Sequence, residues 1–166
     1  MLLKIWKKLH LPQPVQLFLM RRANDQFLIG VTGVIFNDKN QVLLLKHTYR
    51  KVEWSLPGGY LKGNEHPKSG LAREILEETA FKVKIIKIIQ TQTDHQGRLD
   101  MSYFGFYEKG KFVPNAEVTE YIFADPNKLP PLIDDQYEQI KEGLDRKKEY
   151  DAKHRWQTIK HFFRLY

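Results

Sequence analysis

The sequence predicts an α/β protein, because strand-like and helix-like hydrophobic patterns alternate along the chain. Runs rich in valine, isoleucine and phenylalanine are separated by turn residues, and a stretch with helical spacing lies between them. The length of 166 residues and the apolar content of 42% suit one domain with a sizeable core. We therefore expect one sheet packed against helices.

Five segments are predicted as strands, two before the central helix and three after it. Leu28 to Phe36 and Gln41 to Lys46 flank the turn residues 37–40, and this spacing predicts a hairpin. The later strands are Val83 to Thr91, Met101 to Glu108 and Val118 to Phe123. A final helix is predicted from Asp134 to Tyr150, with acids at its start and basic residues near its end, as the helix dipole favours.

Basic residues concentrate at both ends of the chain, which has a net charge of +7. We expect a basic amphipathic segment over 1–26, a central domain over 27–150, and a basic aromatic helix or tail over 151–166 that packs on the domain or on a partner. Two basic ends can attract nucleic acid, nucleotides or an anionic membrane, although a solvated surface is the alternative. The sequence carries no DNA-specific motif.

The sequence also excludes several classes of protein. It has no cysteine, so disulfides, thiol catalysis and thiolate metal sites are excluded. Lysines interrupt the first apolar run, so we reject a signal peptide and expect a cytoplasmic protein. Peripheral membrane contact through residues 1–22 is less favoured than packing of this segment on the domain or on a second subunit, as in a homodimer.

Three glutamates on the central helix predict a metal site. Glu74, Glu77 and Glu78 are spaced i, i+3 and i+4, so their carboxylates share one face of a helix. The opposite face is expected to pack on the sheet and comprises Ala72, Ile75, Leu76 and Thr79. Clustered carboxylates repel one another unless a cation neutralises them, and oxygen ligands suit Mg²⁺ or Mn²⁺. A solvated acidic face is the alternative.

The residues around these glutamates strengthen the metal interpretation. The turn 56–59, Leu-Pro-Gly-Gly, lets backbone approach a ligand closely, and Pro67 suits the first turn of a helix that begins near His66. The full pattern is a glycine, five residues, a glutamate, seven residues, Arg-Glu, an aliphatic residue, any residue and Glu-Glu, occupied by Gly59, Glu65, Arg73, Glu74, Ile75, Glu77 and Glu78. Turn, spacer and helix form one unit.

This pattern resembles the signature of the Nudix hydrolases. Phe81 matches its final aliphatic or apolar position, and Ala80 stands where the family has glycine. If that position needs a positive φ, alanine costs about 1 kcal/mol. The resemblance implies a mixed sheet in an α/β/α sandwich, with the signature helix against the sheet.

The resemblance further implies hydrolysis of a nucleoside diphosphate linked to a moiety X. Glu74, Glu77 and Glu78 would hold the metal with a carbonyl of the turn at Gly59. Glu65 and Arg73 would pair with each other and orient these carboxylates.

The predicted catalytic residues are Glu74, Glu78 and Glu120. The proton acceptor would be Glu74 or a glutamate late in the domain, for which Glu117 and Glu120 are candidates. Glu120 is preferred, with a cross-strand ion pair as its alternative role.

Substrate contacts are predicted in the loop that leads into the signature. Arg50 would bind phosphate and Trp54 would stack on a base; a surface charge and a core residue are the alternatives. The loop from Thr93 to Asp100 is a second candidate for specificity. The moiety X stays open: a nucleotide derivative is expected, an RNA 5′ end is an alternative, and a nucleotide-binding module with weak catalysis is another.

Overall fold

The structure, a computed structural model, describes residues 11–93 and 97–163, except for the side chains of 134 and 155–163. Three helices and seven strands occur in these ranges. The helices are α1 (Gln13–Ala23), α2 (Pro67–Thr79) and α3 (Asp134–Phe163). The strands are β1 (Leu28–Phe36), β2 (Val42–His47), β3 (Trp54–Ser55), β4 (Gly58–Tyr60), β5 (Lys82–Thr93), β6 (Arg98–Lys109) and β7 (Val118–Ala124).

The seven strands form one mixed sheet. Its main order is β3-β2-β1-β6-β5, and β4 and β7 pair with β1 and β2 respectively. β1 runs parallel to β6 in register from Leu28 opposite Arg98 to Phe36 opposite Phe106, and the other pairs are antiparallel. The predicted hairpin of β1 and β2 is present, but the antiparallel pairing between the two strands is confined to Phe36 and Val42, beside the turn. Long-range pairing with β6 and β4 takes up the rest of β1.

A core cluster covers each face of the sheet. Successive residues of β1 and β2 point to opposite faces, so these strands contribute to both clusters. On one side Ile35 and Leu43 join the core cluster that contains Leu71 and Ile75 of α2. On the other side the cluster includes Ile140 of α3 together with residues of the same strands, Val34, Phe36, Val42 and Leu44. The predicted α/β/α sandwich is confirmed.

Helix α2 begins and packs as its local sequence dictates, with one exception. His66 is the N-cap residue, its Nδ1 accepts the backbone N–H of Lys68 at 3.2 Å, and Pro67 takes the first helical position. The buried residues are Gly70, Leu71, Ile75, Glu78 and Thr79. Leu76 was predicted to pack on the sheet, but it is 45% exposed. The buried face is centred nearer Ile75 and Glu78, which turns Leu76 toward solvent.

The end of α2 shows why alanine is tolerated at the glycine position of the signature. Ala80 has φ 61° and ψ 18°, and its backbone N–H donates to the carbonyl of Leu76 at 2.9 Å. The backbone N–H of Phe81 donates to Thr79 Oγ1 at 3.0 Å, and the Phe81 ring is buried among aromatic side chains. The left-handed conformation is held by this anchoring, at a cost of about 1 kcal/mol.

The two ends of the chain differ in how much of them is described. Helix α1 has no buried residue, and four consecutive apolar side chains from Leu17 to Met20 are exposed. The apolar positions of residues 1–10 lie outside the described residues. Helix α3 continues through residue 150, where the central domain was predicted to end, and the side chains of the predicted 151–166 tail are described only as far as residue 154. None of the helices within the described ranges is long and apolar enough to cross a membrane.

Candidate active site

Arg73 links helix α2 to the end of β4 and to the loop that follows it. Its guanidinium donates to both oxygens of Glu65, at 2.8 Å from Nε and 2.9 Å from Nη2, and Nη2 also donates to the carbonyl of Tyr60 at 3.2 Å. The hydrogen bonds from Arg73 and from the Lys62 backbone N–H lower the pKa of Glu65 to about 2. Glu65 and Arg73 are therefore paired, as predicted, and Tyr60 joins them.

The same guanidinium also contacts two of the three glutamates on α2. Arg73 Nη1 donates to Glu74 Oε1 at 2.7 Å and to Glu77 Oε2 at 3.0 Å. Glu77 is 53% exposed and lies 3.5 Å from Lys62 Nζ. The cations Arg73 and Lys62 thus neutralise Glu77 at the rim of the site.

Glu78 is in a different environment from these two. Its side chain is 7% exposed, and its Oε2 has no hydrogen-bond partner among the described residues. Burial, followed by the nearby charges of Glu74 and Glu117, raises the pKa of Glu78 to about 8, against the opposing effects of the Gly58 backbone N–H and Arg50. The charge of a buried carboxylate beside another carboxylate would be stabilised by a bound cation.

The glycine turn lies directly against Glu74. A Cβ added at Gly59 would lie 2.6 Å from Glu74 Oε2 and would collide with its carboxylate carbon. The backbone of β4 can therefore approach this carboxylate only with glycine at this position. Gly58, whose N–H contacts Glu78, lies next to it, so the turn contacts both carboxylates.

The donors in this region suit a hard divalent cation, although they are not assembled around one. Glu74, Glu78 and the turn at Gly59 supply only oxygen, and Glu78 Oε2 is buried without a partner. Yet in the described part of the chain no three Asp, Glu or His side chains are grouped closely enough to form a metal site. The predicted gathering of three carboxylates is thus incomplete, because Arg73 and Lys62 hold Glu77 to one side. The ligand set remains a prediction.

The two late glutamates differ in what they contact. Glu120 lies opposite Lys46 in the β2–β7 ladder, and the Lys46 Nζ to Glu120 Oε1 distance is 2.9 Å. Lys46 also lies 3.5 Å from Glu53, and these carboxylates raise the pKa of Lys46. Glu120 therefore occupies the cross-strand ion pair that was its alternative role. Glu117 is the late glutamate whose charge acts on Glu78.

A cleft of about 520 Å³ opens beside the glycine turn. Its walls come from β1, the loop before β3, β4, the start of β6 and the start of α3. Three cationic side chains line it: Arg50, Lys51 and Arg98. Arg98 Nε donates to Asp100 Oδ2 at 2.6 Å, and Asp100 lines the cleft as well. Such a volume suits a nucleotide-sized ligand.

The cleft contains some of the predicted substrate contacts and lacks others. Arg50 lines it, whereas Trp54 packs against the core cluster on the α3 side, with Lys46 Nζ 6.0 Å from the centre of its ring. Arg98 and Asp100 come from the predicted 93–100 specificity loop, of which residues 94–96 lie outside the described ranges.

Sequence reasoning missed the wall that α3 contributes, which comprises Ile133, Asp135, Gln136 and Gln139. The i, i+3 spacing of the two glutamines was the sole signal for it, and that spacing is common on solvated helices.

Fold and site together define an α/β/α sandwich protein in which a glycine turn lies between an acidic helix and a cleft with three cationic side chains. The chain belongs to the Nudix family, because the model of the NUDIX domain matches residues 26–146.

Two curated relatives show how far the similarity extends. The ADP-ribose pyrophosphatase of Methanocaldococcus jannaschii is 29% identical over 123 residues, which are 70% of this chain and 72% of that protein. The MutT-like protein of Streptomyces ambofaciens is 35% identical over 57 residues, 34% of this chain and 36% of that protein. The chain spans about a quarter to a third of the length of other curated relatives that it matches.

A solved structure of a UDP-X diphosphatase superposes with a TM-score of 0.65 at 21% identity, covering 84% of this chain and 73% of that one. This likeness supports the fold.

Proposed function

We propose that this protein is a divalent-metal-dependent hydrolase that cleaves the pyrophosphate bond of a nucleotide derivative. The observation that carries the proposal is the buried carboxyl of Glu78, whose Oε2 has no hydrogen-bond partner among the described residues, beside Glu74 and next to a glycine turn that opens on a cleft with three cationic side chains. A curated relative, the ADP-ribose pyrophosphatase of Methanocaldococcus jannaschii, supports the same bond type.

Each part of the site has a role in this proposal. Glu74, Glu77 and Glu78, with the carbonyl of Gly59, would hold Mg²⁺ or Mn²⁺. The bound cation would offset the charge of the pyrophosphate and help to deprotonate the attacking water. Arg50 and two further cationic residues that line the cleft, Lys51 and Arg98, bind the phosphates.

Arg73 is a positioning residue in this proposal. It fixes Glu74 through the 2.7 Å hydrogen bond and is itself fixed by Glu65 and by the Tyr60 carbonyl.

Glu117 is proposed as the proton acceptor in place of Glu120. Its charge acts on Glu78, and the Glu120 carboxylate is engaged by Lys46. Glu117→Gln is expected to lower kcat by about 100-fold or more, whereas Glu120→Gln keeps kcat within a few fold. The reverse ranking would restore the role predicted for Glu120.

The proposed function is tested with a panel of substrates, with and without Mg²⁺ or Mn²⁺, read by phosphate release. The panel contains ADP-ribose, nucleoside triphosphates, dinucleoside polyphosphates, nucleotide sugars and triphosphorylated RNA, which share the bond and differ in X. Glu78→Gln is expected to lower metal-dependent kcat by about 100-fold or more on any substrate that the wild type cleaves. The matched control is Glu142→Gln, the same chemical change at an exposed position of α3. Equal activity of wild type and Glu78→Gln would refute the proposed site.

A further inference from the structure

Five polar atoms in the described part of the chain are buried without a hydrogen-bond partner: both ring nitrogens of His47, Ser55 Oγ, Glu78 Oε2 and Gln139 Oε1. Among the residues that carry them, Gln139 is the one whose side chain lines the cleft. It is 4% exposed and comes from the second turn of α3. A buried amide oxygen without a partner costs about 1–3 kcal/mol, so its placement at a ligand cavity requires an explanation.

Gln136 is a second amide side chain in the same cleft, and it has a structural role. It precedes Gln139 by about one helical turn, lines the same cleft and is 7% exposed. Its Oε1 accepts the backbone N–H of Leu56 at 3.0 Å, which ties α3 to the glycine turn. Gln136 is satisfied by the protein, and Gln139 is not.

We propose that Gln139 recognises the nucleobase of the substrate by hydrogen bonding, which makes it a specificity-determining residue. The inference rests on the proposed function, in which the substrate is a nucleotide derivative. A glutamine amide carries an acceptor and a donor side by side, and the edge of a nucleobase presents donors and acceptors with the same spacing. Binding of a base supplies the partner that the folded protein lacks.

The surroundings of Gln139 suit a flat, largely apolar ring. Ile133 lines the same cleft and is 43% exposed, and the half-buried Val52 adds apolar surface. Arg50 and Lys51 line the cleft as candidate phosphate contacts, Arg98 is paired with Asp100, and Gly59 marks the end next to Glu74. In this proposal the pyrophosphate lies at the end of the cleft next to Gly59, and the nucleobase lies against the wall that carries Gln139.

The test compares binding of four probes to metal-free full-length protein by calorimetry: ADP, GDP, CDP and UDP, with inorganic pyrophosphate as a probe that has no base. Gln139→Leu is expected to weaken the tightest nucleoside diphosphate about tenfold and to leave pyrophosphate within twofold. Thermal unfolding serves as the folding control. Replacement of an unsatisfied buried amide by an apolar side chain should leave the Tm unchanged or raise it. A loss of affinity without a loss of stability distinguishes recognition from structural support.

A second variant tests the hydrogen-bond pattern itself. Gln139→Glu keeps an acceptor and loses the donor, so the order of affinity among the four nucleoside diphosphates should change. An unchanged order, an equal loss for pyrophosphate, or a wild type that binds pyrophosphate as tightly as every nucleoside diphosphate would each overturn the inference. Failure of the wild type to hydrolyse any substrate in the panel would instead refute the proposed function, so the two failures are distinguishable.

Discussion

The two helices that cover the sheet differ in their relation to the cleft: α3 contributes lining residues directly, whereas Glu74 of α2 lies against the glycine turn that lines it. On α2 the charged side chains bond to one another within residues 65–77, where Arg73 bridges three glutamates. On α3 the residues that line the cleft include two amides, and the partner of Gln136 is Leu56, 80 positions away in the sequence. The network around Arg73 is therefore built from residues close in sequence, and the contact between α3 and the glycine turn from residues far apart in sequence.

Among changes outside the proposed metal ligands and proton acceptor, the largest expected effect comes from breaking the α2 network at Arg73. Arg73→Gln cannot keep the two-pronged pair with Glu65 or the bond to Glu74, so the carboxylates lose their orientation. We expect metal-dependent kcat/KM to fall about 10–100-fold, measured by steady-state hydrolysis.

The control for this change is Arg146→Gln on α3, since Arg146 Nη1 makes a long, exposed contact of 3.4 Å with Glu149. Equal losses in the two variants would mean that the α2 network has no special role.

The next effect concerns the pH dependence of stability in the metal-free protein. The pKa of Glu78 is raised from 4.5 to about 8, so between these values the folded state binds more protons than the unfolded state. The contribution of Glu78 to the free energy of unfolding therefore falls as the pH rises through this window, by on the order of 2 kcal/mol. Glu78→Gln should remove this fall, measured by urea unfolding at pH 5 and pH 8.

The comparison with Glu78→Gln also separates Glu78 from His47. Burial and then Arg50 lower the pKa of His47 from 6.5 to about 4, so its contribution to stability rises with pH between these values. That rise is common to wild type and variant and cancels in their difference. A difference that does not change with pH would contradict the burial of an uncompensated Glu78.

A smaller effect distinguishes the two amides of α3. Gln136→Leu leaves the buried backbone N–H of Leu56 without its acceptor, so we expect a loss of about 1–2 kcal/mol in the free energy of unfolding. The same substitution at Gln139 should cost nothing, because its Oε1 has no partner to lose. Equal losses at the two positions, measured by urea unfolding, would remove the contrast between them.

The smallest effect is expected at the end of α2. Ala80→Gly relieves the left-handed conformation at φ 61°, while the greater freedom of glycine in the unfolded chain offsets part of the gain. We expect stabilisation of up to about 1 kcal/mol in thermal unfolding. A destabilised variant would show that the conformation of Ala80 is not strained.

The fold could be predicted from the sequence wherever the pattern was local. The five long strands lie within a few residues of the predicted bounds, and β1 matches them at both ends. The start of α2 at Pro67 follows from the local sequence, whereas the pairing of Glu65 with Arg73 was expected from the resemblance to the Nudix signature. The short strands β3 and β4 were missed, because strands of two or three residues carry no periodic signal.

Some residues lie in surroundings that local spacing did not predict, because contacts elsewhere in the folded chain decide them. Leu76 and Glu78 were assigned to faces of α2 by helical spacing, but spacing does not say which arc of a helix the sheet covers. Glu120 pairs with Lys46, which lies 74 positions away in the sequence, and Trp54 packs against the core cluster on the α3 side. The sequence could not single out Gln139 either, since what distinguishes it is a buried amide oxygen that has no hydrogen-bond partner among the described residues.

The hydrogen bond from the Leu56 N–H to Gln136 has a consequence for which substrates fit. It joins the segment that carries Gly58 and Gly59 to the first turn of α3, so the two walls of the cleft cannot separate without breaking a buried bond. This bond restrains the distance between the glycine turn and the amide of Gln139. If the proposed function and the proposed role of Gln139 hold, the cleft would select substrates by length, because a molecule would contact both walls only if the distance from its pyrophosphate to its base matched that span.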